Sequence, residues 1–248
     1  MMILGVIPAR YASTRFPAKP LADIDGKSMV ERVYIQASLS KRISKVVVAT
    51  DDQRIFDHVR LFKGSVCMTS PDHASGTDRC FEAMTKQREK FDYVINIQGD
   101  EPFISPEQID LLASLLDGNT ELATLVKKIN DQESLFNPNV VKIIRSANNQ
   151  ALYFSRSTIP HIRNAEYNTW LSKHTFFKHI GMYGYRSDIL EKITRLKVSA
   201  LEKAESLEQL RWLENGFKVK VAETDLETIG VDTREDLEKA LAFIKNNQ

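Results

Sequence analysis

Residues 3–20 read Ile3-Leu4-Gly5-Val6-Ile7-Pro8-Ala9-Arg10-Tyr11-Ala12-Ser13-Thr14-Arg15-Phe16-Pro17-Ala18-Lys19-Pro20, an apolar run leading straight into a loop with three cations. An apolar run without polar alternation suits a strand buried on both faces of a parallel sheet. The same kind of run returns at residues 46–49, 66–68 and 93–97. Helically spaced segments stand between them: Met29, Val33 and Ala37, then Ile55 and Val59, then residues 76–90. This βαβ alternation predicts an α/β fold, a Rossmann-like, mostly parallel sheet flanked by helices. After Pro106 the positions Ile109, Leu112, Ala113 and Leu116 keep i, i+3, i+4, i+7 spacing, and Gly118 is placed to end that helix.

From about residue 122 the pattern turns strand-rich, with apolar stretches at 122–126, 140–145, 151–154 and 180–185. Residues 164–173 have no clear period and read as a loop. A single helix is expected over residues 201–215 and a strand near 219–222. The last helix opens on Thr233 and Asp236 in capping-box spacing and should bury Leu237, Ala240, Leu241 and Ile244.

Composition narrows the classes. The 248 residues carry 34 Lys and Arg against 33 Asp and Glu, a net charge of +1, so there is no positive field to hold nucleic acid. With 42% hydrophobic and 27% charged residues, the chain is an ordinary globular one and not a disordered one. The two cysteines, Cys67 and Cys80, form no CxxC pair, which argues against a disulfide framework and for a reducing compartment. The apolar start lacks a basic leader, and no run approaches the roughly 18 residues of a membrane span, so the expectation is a cytoplasmic protein without a span. The five histidines have no metal-site spacing, which leaves no zinc site to expect.

Ligands of open parallel sheets bind beyond the carboxyl ends of the strands, where the loop after residue 7 should lie. Arg10, Arg15 and Lys19, with Ser13 and Thr14 between them, suit phosphate oxygens, although a solvated basic loop is the plainer alternative. The loop has neither GxGxxG nor the glycine–lysine phosphate loop, which disfavours a dinucleotide fold and a Walker ATPase. Residues 96–102, Asn-Ile-Gln-Gly-Asp-Glu-Pro, put Asp100 and Glu101 at the end of a central strand, where they can hold Mg²⁺ against phosphates or simply form a polar turn. Gly99 offers close backbone approach to a ligand. Asp232 precedes a helix, where capping is the commoner job, and Thr50, Asp51 and Asp52 read as caps of the next helix. Ser75 or Thr77 is the candidate cap of a helix whose start could bind an anion. Glu205, Glu208, Gln209 and Trp212 share one helical stripe that is either solvated or functional. The tyrosines of the 179–185 strand either pack in the core or line a sugar pocket.

Taken in order, the segments IPARYASTRFPAKPL, VVVATDD, CMTSPDHASGTDR, VINIQGDEP, FNPNVVKII, ALYFSRSTIP, KHIGMYGYR, LEQLRWLENG and IGVDTREDLEKA resemble the CMP-Kdo synthetases, the 3-deoxy-manno-octulosonate (Kdo) cytidylyltransferases, over nearly the whole chain. The resemblance implies transfer of CMP from CTP to Kdo with release of pyrophosphate, Mg²⁺ dependence, a place in lipopolysaccharide biosynthesis, and a homodimer. It implies that Arg10, Ser13, Arg15 and Lys19 hold the CTP phosphates, that Asp100 and Asp232 bind Mg²⁺, and that Ser75, Gly76 and Arg79 lie near the cytidine. On the Kdo side it implies Gln98, Arg156, His179, Tyr185, Glu205 and Gln209, with the choice among Glu205, Glu208 and Gln209 open. The corresponding parts are a nucleotide-binding region over residues 1–120, a smaller strand-rich region for sugar binding and dimerisation over 121–215, and a C-terminal return over 216–248. Ala18 stands where this family usually has glycine, and Ala200 where proline is common. The rivals are a cytidylyltransferase for sialic acid or an amino-substituted Kdo, and a silent nucleotide-binding regulator; the LEQLR and HASGTDR segments favour Kdo, and intact Arg15, Lys19, Asp100 and Asp232 argue for activity.

Overall fold

The computed structural model describes residues 1–12, 16–226 and 230–246, and the chain divides into two compact units, residues 1–114 with 227–248, and residues 115–226. In the first unit, strands β1 (Ile3–Ala9), β2 (Lys45–Thr50), β3 (Val66–Met68) and β4 (Tyr93–Asn96) pair in the order β4-β1-β2-β3, all parallel. Val6 stands opposite Val47 on one side and Asn96 on the other. β1 is buried along nearly its whole length, which is why its sequence is a continuous apolar run.

Helices α1 (Met29–Ser38), α2 (Gln53–Leu61), α3 (Gly76–Thr85) and α4 (Pro106–Ser114) connect and follow these strands. Their starts are specified locally. Ser28 caps α1 by accepting from Glu31 N, Asp52 caps α2 by accepting from Arg54 N, and Ser75 and Asp78 form a full capping box on α3. α4 stops at Ser114, earlier than its apolar spacing suggests, and Gly118 takes a left-handed φ of 89° in the second unit. The C-terminal helix (Arg234–Asn246) starts on the expected Thr233–Asp236 box. It packs Leu237, Ala240 and Leu241 against Phe16, Ile24, Met29 and Val231; the side chain of Ile244 lies outside the described residues.

The second unit is strand-rich, as its sequence suggests. Strands β5 (Leu122–Lys128), β6 (Lys142–Arg145), β7 (Ala151–Ser155), β8 (Phe177–Arg186) and β9 (Val219–Glu223) lie in the order β9-β5-β8-β6-β7. Only the β9–β5 pair is parallel. β8 carries an irregularity between Ile180 and Tyr183, and the buried Thr124 hydroxyl fills it, 3.1 Å from Ile180 O and 2.8 Å from Met182 O.

Two expectations fail here for physical reasons. Residues 164–173 are not a plain loop: they form a 3₁₀ turn (Tyr167–Thr169) and α6 (Trp170–Lys173), which follows α5 (Gln132–Phe136). Trp170 is the anchor, buried with Ile129, Leu135 and Phe176, with its indole N–H on Ala165 O. Residues 201–215 are not one helix. After α7 (Ser187–Thr194) come α8 (Ala200–Glu205) and α9 (Gln209–Glu214), separated because Ser206 adopts a left-handed φ of 51°. The stripe of Glu205, Glu208, Gln209 and Trp212 therefore does not exist as one helical face. Among the described residues no helix is long and apolar enough to cross a membrane.

Candidate active site

At the carboxyl end of the first unit's sheet, Lys19 Nζ donates to Asp100 Oδ2 at 2.8 Å and to Asp232 Oδ1 at 3.0 Å, joining residues 81 and 213 positions apart. Each backbone is fixed. Lys19 opens a 3₁₀ turn (Lys19–Leu21) after Ala18, whose N–H donates to Tyr11 O. Asp100 follows β4, and Val231 N donates to its carbonyl at 2.9 Å, which brings the 231–232 segment alongside. Asp232 is not the helix cap that its position suggests: Thr233 does that work, and the Asp232 carboxylate turns to Lys19 instead. Burial alone would depress the Lys19 ammonium, but the two carboxylates outweigh it and hold its pKa above the ordinary value. Gly99 makes its close approach to protein and not to open space, since a Cβ there would stand 2.6 Å from Pro8 O. Ser13 and Arg15 lie outside the described residues.

The expected cytidine group is partly committed to the fold. Arg79 is 0% exposed, donating to Thr69 Oγ1 and to Asp51 Oδ2, so its guanidinium ties the ends of β2 and β3 to α3. Asp51 therefore pairs with Arg79 and does not cap α2, which Asp52 does. Ser75 spends its hydroxyl on Asp78 N. Arg10 donates to His73 O, which fastens the phosphate-loop candidate to the 70s segment, and His73 in turn pairs with Glu82. Burial would raise the Glu82 carboxyl, yet hydrogen bonds from Lys86, Ser70 N and His73 hold it down to about 2. Gly76 heads α3, and Gln98 lies just past β4.

In the second unit the charged candidates are consumed by the fold. Glu205 accepts from Ser155 Oγ at 2.6 Å and from Arg156 N at 2.8 Å. Arg156 donates to the Glu205, Pro138 and Ser206 carbonyls. The neutral candidates gather around rings. His179 lies 5.0 Å from Tyr183, which stacks at 6.0 Å on the fully buried Tyr185, and Trp212 meets both tyrosines edge-on. Burial pushes the His179 imidazole down to about 3, so it is neutral, and it faces Thr124 Oγ1 at 2.9 Å. Because the Thr124 hydroxyl donates to a carbonyl, His179 Nε2 is the donor in that pair. Gln209 begins α9 and is buried.

Two groups weighed in the sequence outside the resemblance's sugar-side set stand out here: the buried Tyr183 hydroxyl and Trp212 indole N–H have no hydrogen-bond partner among the described residues. The glycine- and tyrosine-rich strand signals Tyr183, and the spacing of 205, 208, 209 and 212 signals Trp212. A hollow of about 1020 Å³ in this unit, lined by Arg145, Lys173 and Phe177 among others, contains none of the sequence-derived site residues.

Among the described residues no cluster of three or more metal-ligating side chains occurs. Two convergent carboxylates nevertheless suit Mg²⁺, which takes one or two carboxylates and fills its shell with phosphate oxygens and water.

A parallel sheet with a cation-rich loop and paired carboxylates at its carboxyl end defines a nucleotide-handling transferase, and the cytidylyltransferase family description matches residues 4–228. A 3-deoxy-manno-octulosonate cytidylyltransferase of Parabacteroides distasonis is 58% identical over 99% of both chains, and one of Cytophaga hutchinsonii is 60% identical over 95% of this chain and 94% of its own. A solved structure of a CMP:2-keto-3-deoxy-manno-octonic acid synthetase complexed with CTP is 41% identical, superposes with a TM-score of 0.93 and covers 100% of both chains. The chain belongs to the 3-deoxy-manno-octulosonate cytidylyltransferase family.

Proposed function

We propose that the protein couples CTP to Kdo, giving CMP-Kdo and diphosphate for lipopolysaccharide biosynthesis. The observation that carries this reading is the convergence of Lys19, Asp100 and Asp232 at the carboxyl end of a parallel sheet. The identity to the named relatives supports the choice of CTP and Kdo over other nucleotides and acids.

In this reading Arg10, Ser13, Arg15 and Lys19 hold the triphosphate, and Ser75, Gly76 and Arg79 form the nucleoside side, Arg79 by bracing the segment and not by reaching out. Asp100 and Asp232 would hold Mg²⁺, whose chemistry there is to neutralise charge on the α-phosphate oxygens. The anomeric hydroxyl oxygen of the sugar bonds to the α-phosphorus, its proton departs, and the bond to the leaving pyrophosphate breaks in line. Lys19 and Arg15 place positive charge where it grows on that leaving group. The chain's contribution is orientation and charge placement, with no covalent nucleophile. On the acceptor side the second unit would contribute Gln209, Tyr185 and neutral His179 as polar groups, with Glu205 and Arg156 shaping the wall that carries them, and Gln98 is the candidate of the first unit.

Homodimerisation and a cytoplasmic location belong to the same proposal. The exposed Phe136, Leu152 and Tyr167 of the second unit support the first, and the two free cysteines support the second. The functional reading is tested by pyrophosphate release with Mg²⁺, crossing four nucleoside triphosphates with Kdo, sialic acid and no sugar. Release confined to CTP with Kdo is the expected result, and silence in that well overturns it. Sedimentation giving only monomer at working concentration removes the dimer.

A further inference from the structure

The Lys19 ammonium is shared between two carboxylates, 2.8 Å from Asp100 and 3.0 Å from Asp232. Two carboxylates within the reach of one ammonium repel each other strongly unless a positive charge stands between them. The backbone behind all three groups is fixed by hydrogen bonds: Ala18 N to Tyr11 O, Val231 N to Asp100 O, and Asp232 N to the Asp236 carboxylate. Of the three side chains the lysine has the longest reach, a stem of four rotatable carbons that ends in a compact point charge. Its side chain is 16% exposed, while the carboxylates, at 32% and 49%, remain open to water and ions.

We infer that the Lys19 ammonium is the built-in counter-ion of the Asp100–Asp232 pair, occupying the place of a divalent cation until a triphosphate draws the lysine away. The inference rests on the cytidylyltransferase reading, because it needs a polyanion to receive the displaced ammonium. It makes metal entry depend on nucleotide. Without CTP, a divalent ion must compete with a tethered cation for the same oxygens. With CTP, the phosphates take the ammonium and the carboxylates are released to the metal. Lys19 thus has a positioning role before the reaction, keeping two like charges together, besides its part on the leaving group.

The test is Mn²⁺ binding to the nucleotide-free full chain, read from the free-ion EPR signal, for the wild type, Lys19→Met, Lys19→Gln and Lys19→Arg. Both neutral variants should bind Mn²⁺ about tenfold or more tightly than the wild type, because the competing charge is gone, while Lys19→Arg should stay near wild type. Adding Asp100→Asn to Lys19→Met should abolish the gain. Folding of each variant is followed by its circular dichroism melt, and Lys19→Gln stands in if Lys19→Met does not fold. Neutral variants that bind no more tightly than the wild type overturn the inference, as does a gain that survives Asp100→Asn. The two readings fail separately: absence of any tightening in the neutral variants, when the wild type turns over CTP and Kdo, removes only the counter-ion role, whereas a wild type silent with CTP and Kdo removes the cytidylyltransferase reading itself.

Discussion

Lys19 in the first unit and Lys142 in the second are both withdrawn from water, yet their partners differ in kind. Lys19 is held by two carboxylates that remain partly exposed, whereas Lys142 is fully buried and donates to the Asn137 and Val140 carbonyls at 2.8 and 2.6 Å, burial lowering its pKa. The same contrast runs through the neighbouring charges. Arg156 and Glu205 close hydrogen bonds with backbone and with Ser155, so breaking them disturbs the fold. A charge held by a partly exposed opposite charge can be exchanged for a ligand's charge, whereas one held by several backbone carbonyls is tied to the fold itself. In the proposed function this contrast assigns phosphate and metal to the first unit and neutral polar groups to the second.

The contrast is broken most severely by Asp100→Asn, which removes one of the two exchangeable carboxylates. We expect kcat to fall about 10²–10³-fold with the melting temperature little changed. Steady-state pyrophosphate release at saturating Mg²⁺ checks this, and a near-normal kcat returns Asp100 to a polar turn. Arg15→Ala should lower kcat/KM by about 10²-fold if that arginine meets the leaving group.

In the second unit the loss falls on stability instead of turnover. Glu205→Gln should cost about 1–3 kcal/mol of stability, because a carboxylate accepting from Ser155 Oγ and Arg156 N is replaced by a group that can accept on one side only. The same variant should leave the CTP KM unchanged and move the Kdo KM less than about threefold, which is small beside the effect expected at Asp100. Chemical denaturation and the two KM values decide the matter: a large rise in the Kdo KM with intact stability would put Glu205 back in contact with sugar.

How much of this was readable beforehand depends on the range of the interaction. The four parallel strands of the first unit and the Thr233–Asp236 box follow from local patterns, apolar runs and capping residues, and they appear where the sequence puts them, although Val66–Met68 is only half-buried. The family was legible from ordered motifs spread from residue 7 to residue 240. The break at Ser206 was not, because a left-handed serine has no reliable local signature and the apolar spacing runs straight across it. The fates of Arg79 and Arg156 were equally hidden: an arginine in a motif looks the same whether it faces a ligand or, as here, Asp51 or three backbone carbonyls. Motifs locate a site, and only tertiary contacts tell which of its members touch a ligand.

A smaller effect separates the charges that titrate from those that do not. Glu82 is held down to about 2 from an ordinary 4.5. A carboxylate depressed in the folded state contributes stability that is fully present above its unfolded value and is lost as pH falls through the folded one. The difference in melting temperature between the wild type and Glu82→Gln should therefore be full at pH 6–7, begin to shrink below about 4.5 and vanish near 2. A difference that stays constant across that range would mean that Glu82 acts through shape and not through charge.

The smallest expected change concerns the turn that presents Lys19. Ala18 has a φ of 61°, a left-handed conformation that a Cβ disfavours by roughly 1–2 kcal/mol and that glycine adopts freely. Glycine at this position has no such strain, so Ala18→Gly should remove it here. Glycine also gains freedom in the unfolded chain, which costs about 0.5–1 kcal/mol, so the net gain in stability should lie between about 0 and about 1.5 kcal/mol. Nothing else in the turn needs to change, because Ala18 makes its contact to Tyr11 through backbone N–H, which glycine keeps. Denaturation of the variant checks this. A loss of more than about 1 kcal/mol would show that the alanine methyl packs usefully, and that stiffness in the turn holds Lys19 toward Asp100 and Asp232.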